Sequence, residues 1–120
     1  MGRRGAALKL VALTAALAAG PAACAERTMY DWGSYEESVY GLWCEPGSWM
    51  PTQAIGTLTD EVTETKLAGR KPPPGVQAHL GYLQLLVGDG AAAVSWFREE
   101  KAAYSESAVF MDRLIAKVGR

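Results

Sequence analysis

Histidine and cysteine are almost missing from this chain. His79 is the single histidine of 120 residues, and Cys24 and Cys44 are the only cysteines. A His/Cys metal centre needs three or four such ligands, and acyl-transfer or hydrolytic chemistry needs a nucleophile, a base and an oxyanion or metal site together. The chain is therefore read as a non-enzyme without metal or cofactor. A basic field is missing too: 12 Lys+Arg stand against 13 Asp+Glu, a net charge of −1. That excludes a nucleic-acid surface, which depends on clustered cations to hold phosphates. Strand patterning is absent, since no stretch after residue 24 alternates apolar and polar side chains over a useful length. What is present is apolar: 49% of the residues, with four Trp, five Tyr and two Phe, too much for a disordered chain.

Acids are confined to one part of the chain. Before residue 24 there are three cations, Arg3, Arg4 and Lys9, and no carboxylate; from residue 24 onward nine cations face all 13 acids, a net −4. All the aromatics also fall after residue 24. Residues 1–23 have the layout of a bacterial export signal. Arg3 and Arg4 form the positive start, Ala6 to Ala19 the apolar run, and Gly20-Pro21 the break. The run is shorter than the roughly 20 residues that span a membrane. Two processing readings follow. Ala22 and Ala23 before Cys24 suit a lipidated cysteine, although Pro21 stands where such signals usually carry Leu; alternatively Ala23-Cys24-Ala25 is cut before Glu26. Lipidation at Cys24 would attach several acyl chains, each buried methylene contributing about 0.8 kcal/mol to membrane retention. In a Gram-negative cell, Ala25 rather than Asp after the cysteine favours the outer membrane over inner-membrane retention. With Cys24 acylated, Cys44 is a lone thiol, read as a small half-buried hydrophobe beside Trp43; without lipidation or removal, a 24–44 disulfide is open.

The body divides into an aromatic-rich segment at 24–47 and a helical domain at 48–120. Tyr35 to Cys44 forms a short helix with Ser34 as cap and Val39, Leu42 and Trp43 on one face. Ser48 to Ala68 forms a longer one, with Ile55, Leu58 and Val62 buried and Asp60, Glu61 and Glu64 in solvent. Arg70-Lys71-Pro72-Pro73-Pro74-Gly75 is a stiff connector, preferred over a proline ligand for a partner. Val76 to Val87 converges Val76, Leu80, Leu83, Leu86 and Val87. Ala91 to Tyr104 turns Ala93, Trp96, Phe97 and Tyr104 inward and Glu99, Glu100 and Lys101 outward. Ser105 caps a last helix with Val109, Phe110, Leu114, Ile115 and Val118 as its apolar positions.

Six aromatics, Tyr30, Trp32, Tyr35, Tyr40, Trp43 and Trp49, fall within 20 residues. They complete a thin core or form a recognition surface, Tyr and Trp being frequent at binding hot spots. A mixed arrangement places Trp43 inside and Tyr30 and Trp32 partly out. Tyr30, Trp32, Tyr35 and Tyr40 are the candidate partner-binding residues; glycan or peptidoglycan binding through the same rings is the alternative. A Cys44–His79 thiol–imidazole pair is the weakest reading, since a mid-helix His79 fits a packed histidine that hydrogen-bonds a neighbour.

Leu80-Gly81, Gly88-Asp89, Ala93 and Phe97 follow the spacing of a tetratricopeptide hairpin. Gly81 and Ala93 allow close helix approach and Phe97 fills the space beside them. One such repeat cannot bury its own faces, so flanking helices must cover it. The fold expected is all-α: a tetratricopeptide-like hairpin with flanking helices, after the export segment. Further blocks are Tyr30-Asp31-Trp32-Gly33-Ser34-Tyr35, Ser38-Val39-Tyr40, Pro73 to Gly81, Phe97 to Lys101 and Ser105 to Leu114. On these the sequence resembles DUF4810, a family of small bacterial lipoproteins of unknown function. The resemblance implies an outer-membrane lipoprotein facing the periplasm. It also implies partners among other envelope lipoproteins, one of them similar to the curli-secretion channel, and supplies no catalytic residues. The function expected is non-catalytic protein–protein recognition in an envelope assembly, with a second copy of the chain among the candidate partners.

Overall fold

A computed structural model describes residues 28–120 of the chain; the export segment at 1–23 and the Cys24 anchor lie outside the described residues. Among the described residues there are five α-helices and no strand: α1 Tyr35–Cys44, α2 Pro51–Leu67, α3 Val76–Leu86, α4 Gly90–Ala103 and α5 Ala108–Val118, with a short 3-10 turn at Ser105–Ser107 before α5. The all-α expectation holds. No described helix is long and apolar enough to cross a membrane.

Helix α2 starts at Pro51, three residues later than the spacing suggested. Pro51 drives Met50 into an extended conformation (φ −110°, ψ 148°), which a helix cannot include, and itself suits the first turn, where no N–H is needed. Ala54, Leu58, Val62 and Thr65 are the buried stripe of α2. They meet Val76, Leu80 and Leu83 of α3 in the larger core cluster, flanked by Tyr35, Leu42, Trp49, Ile55 and Trp96. The second cluster joins Ala93 and Phe97 of α4 to Met111 of α5, with Ala78, Leu114, Ile115 and Val118 around them.

The hairpin α3–α4 carries the packing that the tetratricopeptide-like spacing predicts. Gly81 is buried, and a Cβ there would stand 2.6 Å from Cδ1 and 3.0 Å from Cζ of Phe97. Asp89 caps α4, its carboxylate accepting from the Ala92 N–H at 2.9 Å.

Two carboxylates expected in solvent are instead structural. Glu100 is 2% exposed and accepts from the backbone N–H groups of Gly75 (2.8 Å) and Ala78 (3.3 Å). It thereby caps the positive end of α3, where helix N–H groups have no partner of their own. Gly75 sits in the left-handed region at φ +91°, a turn that delivers the chain into α3 and suits glycine. Glu61 is half-buried and accepts from the Ser34 N–H at 3.0 and 3.2 Å, so α2 holds the start of α1. The Ser34 side chain makes no capping bond, contrary to expectation, and its Oγ is buried without a partner. Ser105 is likewise no cap; it opens the 3-10 turn, whose Ser107 Oγ donates to the Tyr104 carbonyl at 2.7 Å.

The proline connector is sealed in place. Pro72 and Pro73 are buried, and the Tyr104 hydroxyl donates to the Pro72 carbonyl at 2.6 Å. Burial, and then the neighbouring Tyr30 hydroxyl, push the Tyr104 phenol well above its usual range. Lys66 of α2 pairs with Glu99 of α4, and Gln77 Nε2 donates to the same carboxylate at 3.0 Å. Burial alone would raise the Glu99 carboxyl; these two contacts outweigh it and hold the group below its usual value.

Candidate functional site

Helix α1 packs on α2 along one side and leaves the other open. Trp32, Tyr35, Glu36, Val39, Tyr40, Trp43 and Cys44 line a groove of about 500 Å³ on that open side. From Tyr35 to Cys44 the positions recur every three to four residues, so they form a single stripe on the helix, and Trp32 extends it just before the first turn. Trp43 and Tyr40 are each 56% exposed and Trp32 is 44% exposed; Tyr35 and Val39 are half-buried and form the floor.

The rings are held by one another. Trp43 stacks on Tyr82 of α3, centroids 6.1 Å apart at 30°. Tyr35 meets His79 of α3 edge-on at 5.3 Å, and Trp32 leans on Tyr35 at 5.7 Å. Such pairs add about 0.5–1.5 kcal/mol beyond burial, so the groove wall is preorganised. Tyr30 points elsewhere: it packs edge-on against both Trp32 and Tyr104, at 6.4 Å each.

The electrostatics are one-sided. Glu36 is the only charged residue lining the groove, and from Asp31 to Glu45 the chain carries Asp31, Glu36, Glu37 and Glu45 without one cation. Burial, and then the charge of Glu100, raise the Tyr35 phenol above its usual value, which keeps it neutral. Burial lowers the His79 imidazole below its usual 6.5.

Of the four residues predicted for recognition, the structure brings Trp32, Tyr35 and Tyr40 together in the groove and leaves Tyr30 beside Tyr104. Trp43 was expected inside and is exposed, because α1 is the first helix of the stack and no described element covers its outer side. Cys44, expected half-buried, is exposed as well. Tyr82 was missed; its place three residues after His79 on α3 was the available signal. The Cys44–His79 pair does not form, since His79 Nε2 is buried without any hydrogen-bond partner. That ring is packed as expected, but without a hydrogen bond at Nε2. Among the described residues no group of three or more His, Cys, Asp or Glu could hold a metal ion.

No curated protein and no solved structure matches the chain. The family model described as a domain of unknown function, DUF4810, matches residues 29–114. That stretch runs from just before the aromatic groove, through all of α1 to α4, into the middle of α5, and by it the chain belongs to the DUF4810 family.

Proposed function

We propose that this chain is a non-catalytic adaptor of the bacterial envelope, lipidated at Cys24, anchored to the outer membrane and facing the periplasm. Its task is to dock other envelope proteins on the α1 groove. The observation that carries the reading is the groove itself: about half of each of Trp32, Tyr40 and Trp43 faces solvent, while Trp32 and Trp43 are held by ring contacts with Tyr35 and Tyr82. Apolar aromatic area kept rigid and open is what a binding hot spot requires. The acidic surround suits a partner with an apolar centre and a cationic rim. The family resemblance supplies the setting, with partners among envelope lipoproteins, including one similar to the curli-secretion channel.

Mass spectrometry of the mature N-terminus tests the anchor: a diacylglyceryl group on Cys24 is expected, and a chain beginning at Glu26 refutes it. Crosslinking in membranes, followed by purification, tests the docking. A stoichiometric envelope partner is expected, lost when Trp43 and Tyr40 are both replaced by Ala, each truncation costing about 2 kcal/mol at a hot spot. Quenching of tryptophan fluorescence by peptidoglycan fragments, with no protein partner recovered, would replace this reading by glycan binding.

A further inference from the structure

A stack of helices leaves its first and last members covered on one side only. The first here is α1, joined to α2 and reaching α3 through Trp43–Tyr82 and Tyr35–His79. The last is α5, packed on α4, with Ala78 of α3 in the same cluster as Met111 and Leu114. The outer side of α5 carries a second groove, of about 400 Å³, lined by Phe110, Arg113, Leu114, Ala116, Lys117 and Arg120. Its lining has three cationic side chains and no acidic one. The one acid of α5, Asp112, is engaged by Lys101 at 2.7 and 2.8 Å. Phe110 is 60% exposed and Val109 66%, although both are apolar positions of α5.

The two ends of the stack are therefore matched. Each has an apolar centre and similar size; one is acidic and the other basic. A cationic apolar helix face is the occupant that the α1 groove asks for, and the chain carries one at its other end. We propose that copies associate head to tail, α5 of one docking in the α1 groove of the next, with Phe110 against the Tyr40 and Trp43 rings and Arg113, Lys117 and Arg120 toward Glu36 and Glu37. This names an occupant of the groove and rests on its reading as a docking surface. A contact between two different faces leaves one of each free in every dimer, so association continues into rings or chains.

The test uses the full chain, purified in detergent with reductant to keep the Cys44 thiol free, by sedimentation over a concentration series. One variant disables the α1 face (Glu36→Lys with Trp43→Ser), a second the α5 face (Phe110→Ser with Lys117→Glu). All four positions are exposed, and circular dichroism checks that the helices persist. The wild type is expected to form species larger than dimers, weakened roughly tenfold when salt rises from about 0.05 to 0.5 M. Each variant alone is expected to be monomeric. Their equimolar mixture restores one intact pair of faces, so it should give dimers and nothing larger. Self-association that survives in the α5 variant overturns the proposal in favour of a symmetric α1 contact. A wild type that stays monomeric to about 100 μM also overturns it, as does α5-dependent binding to vesicles of anionic lipid without self-association. If the wild type is monomeric and the α1 variant still loses an identified envelope partner, head-to-tail docking alone falls and the adaptor reading stands.

Discussion

The same substitution at two glycines should change stability in opposite directions. Gly56 lies inside α2, is exposed, and a Cβ there would meet nothing within 4 Å. Gly56→Ala gains helix propensity, about 0.8–1 kcal/mol, with nothing to oppose it. Gly81 lies inside α3, and its Cβ would stand 2.6 and 3.0 Å from carbons of the Phe97 ring. The propensity gain is the same, but overpacking a filled core costs about 1–3 kcal/mol. Phe97 is only 1% exposed, so its ring cannot swing into solvent, and relief requires α3 and α4 to separate. Overpacking therefore wins, for a net loss of up to about 2 kcal/mol. The two variants should differ by the overpacking cost, about 1–3 kcal/mol, or on the order of 10 °C in Tm for a body of this size. Urea and thermal unfolding followed by far-ultraviolet circular dichroism measure both. Phe97→Leu makes room for the methyl, so its cost and that of Gly81→Ala should sum to more than the double variant loses, by at least about 0.5 kcal/mol. A Gly81→Ala protein as stable as Gly56→Ala, or a double variant with additive losses, would refute the idea that close approach of α3 and α4 requires glycine.

Three further outcomes can be checked. Glu100→Gln keeps the shape but leaves an amide NH2 facing one of the Gly75 and Ala78 N–H groups, so unfolding should cost about 1.5–3 kcal/mol less than in the wild type; an unchanged urea midpoint would mean the carboxylate does not cap α3. Because burial holds the folded His79 imidazole below 6.5, the unfolded chain binds more protons between that lowered value and 6.5. Stability from this group is full above 6.5 and declines as pH falls through that window; His79→Phe should flatten that part of the profile, and an identical slope in the variant contradicts the assignment. Cys44, being exposed, should react with a thiol reagent in the native protein as fast as in the urea-unfolded chain within about an order of magnitude, whereas a strongly protected thiol would place something over the groove.

The helices were readable because apolar spacing of three and four residues is a local property. Leu58 and Val62 in α2, Leu80 and Leu83 in α3, and the Gly81–Ala93–Phe97 set all behave as that spacing implies. Glu61 and Glu100 were not readable. A carboxylate on a helix looks solvated unless its partner is known, and these partners are backbone N–H groups 27 and 25 residues away. Sequence spacing says which face of a helix is apolar, but not whether a distant turn brings unpaired donors to it. The start of α2 was missed for a local reason: Pro51 holds Met50 in an extended conformation, so the helix cannot begin at Ser48.

The exposure of Trp43, Val109 and Phe110 has a different origin. Glu61 and Glu100 were placed outside and are half-buried and buried respectively, each accepting from backbone N–H groups. Trp43, Leu86 and Val87 were read toward the core and are exposed, as are Val109 and Phe110, which were read only as apolar positions of α5. Fully burying one large apolar side chain contributes about 1.5–3 kcal/mol, so the body forgoes stability at its two end helices that one covering helix on each would recover. Proteins depart from local consistency mainly where a site demands it, and single exposed apolar residues are ordinary. Two grooves of comparable size and opposite charge at the two ends of one stack are a pattern rather than scattered exposure. A missing cover explains the stability forgone at either end separately. The proposed docking of one end on the other accounts at once for the exposed rings beside Glu36 and for the exposed Phe110 beside Arg113, Lys117 and Arg120.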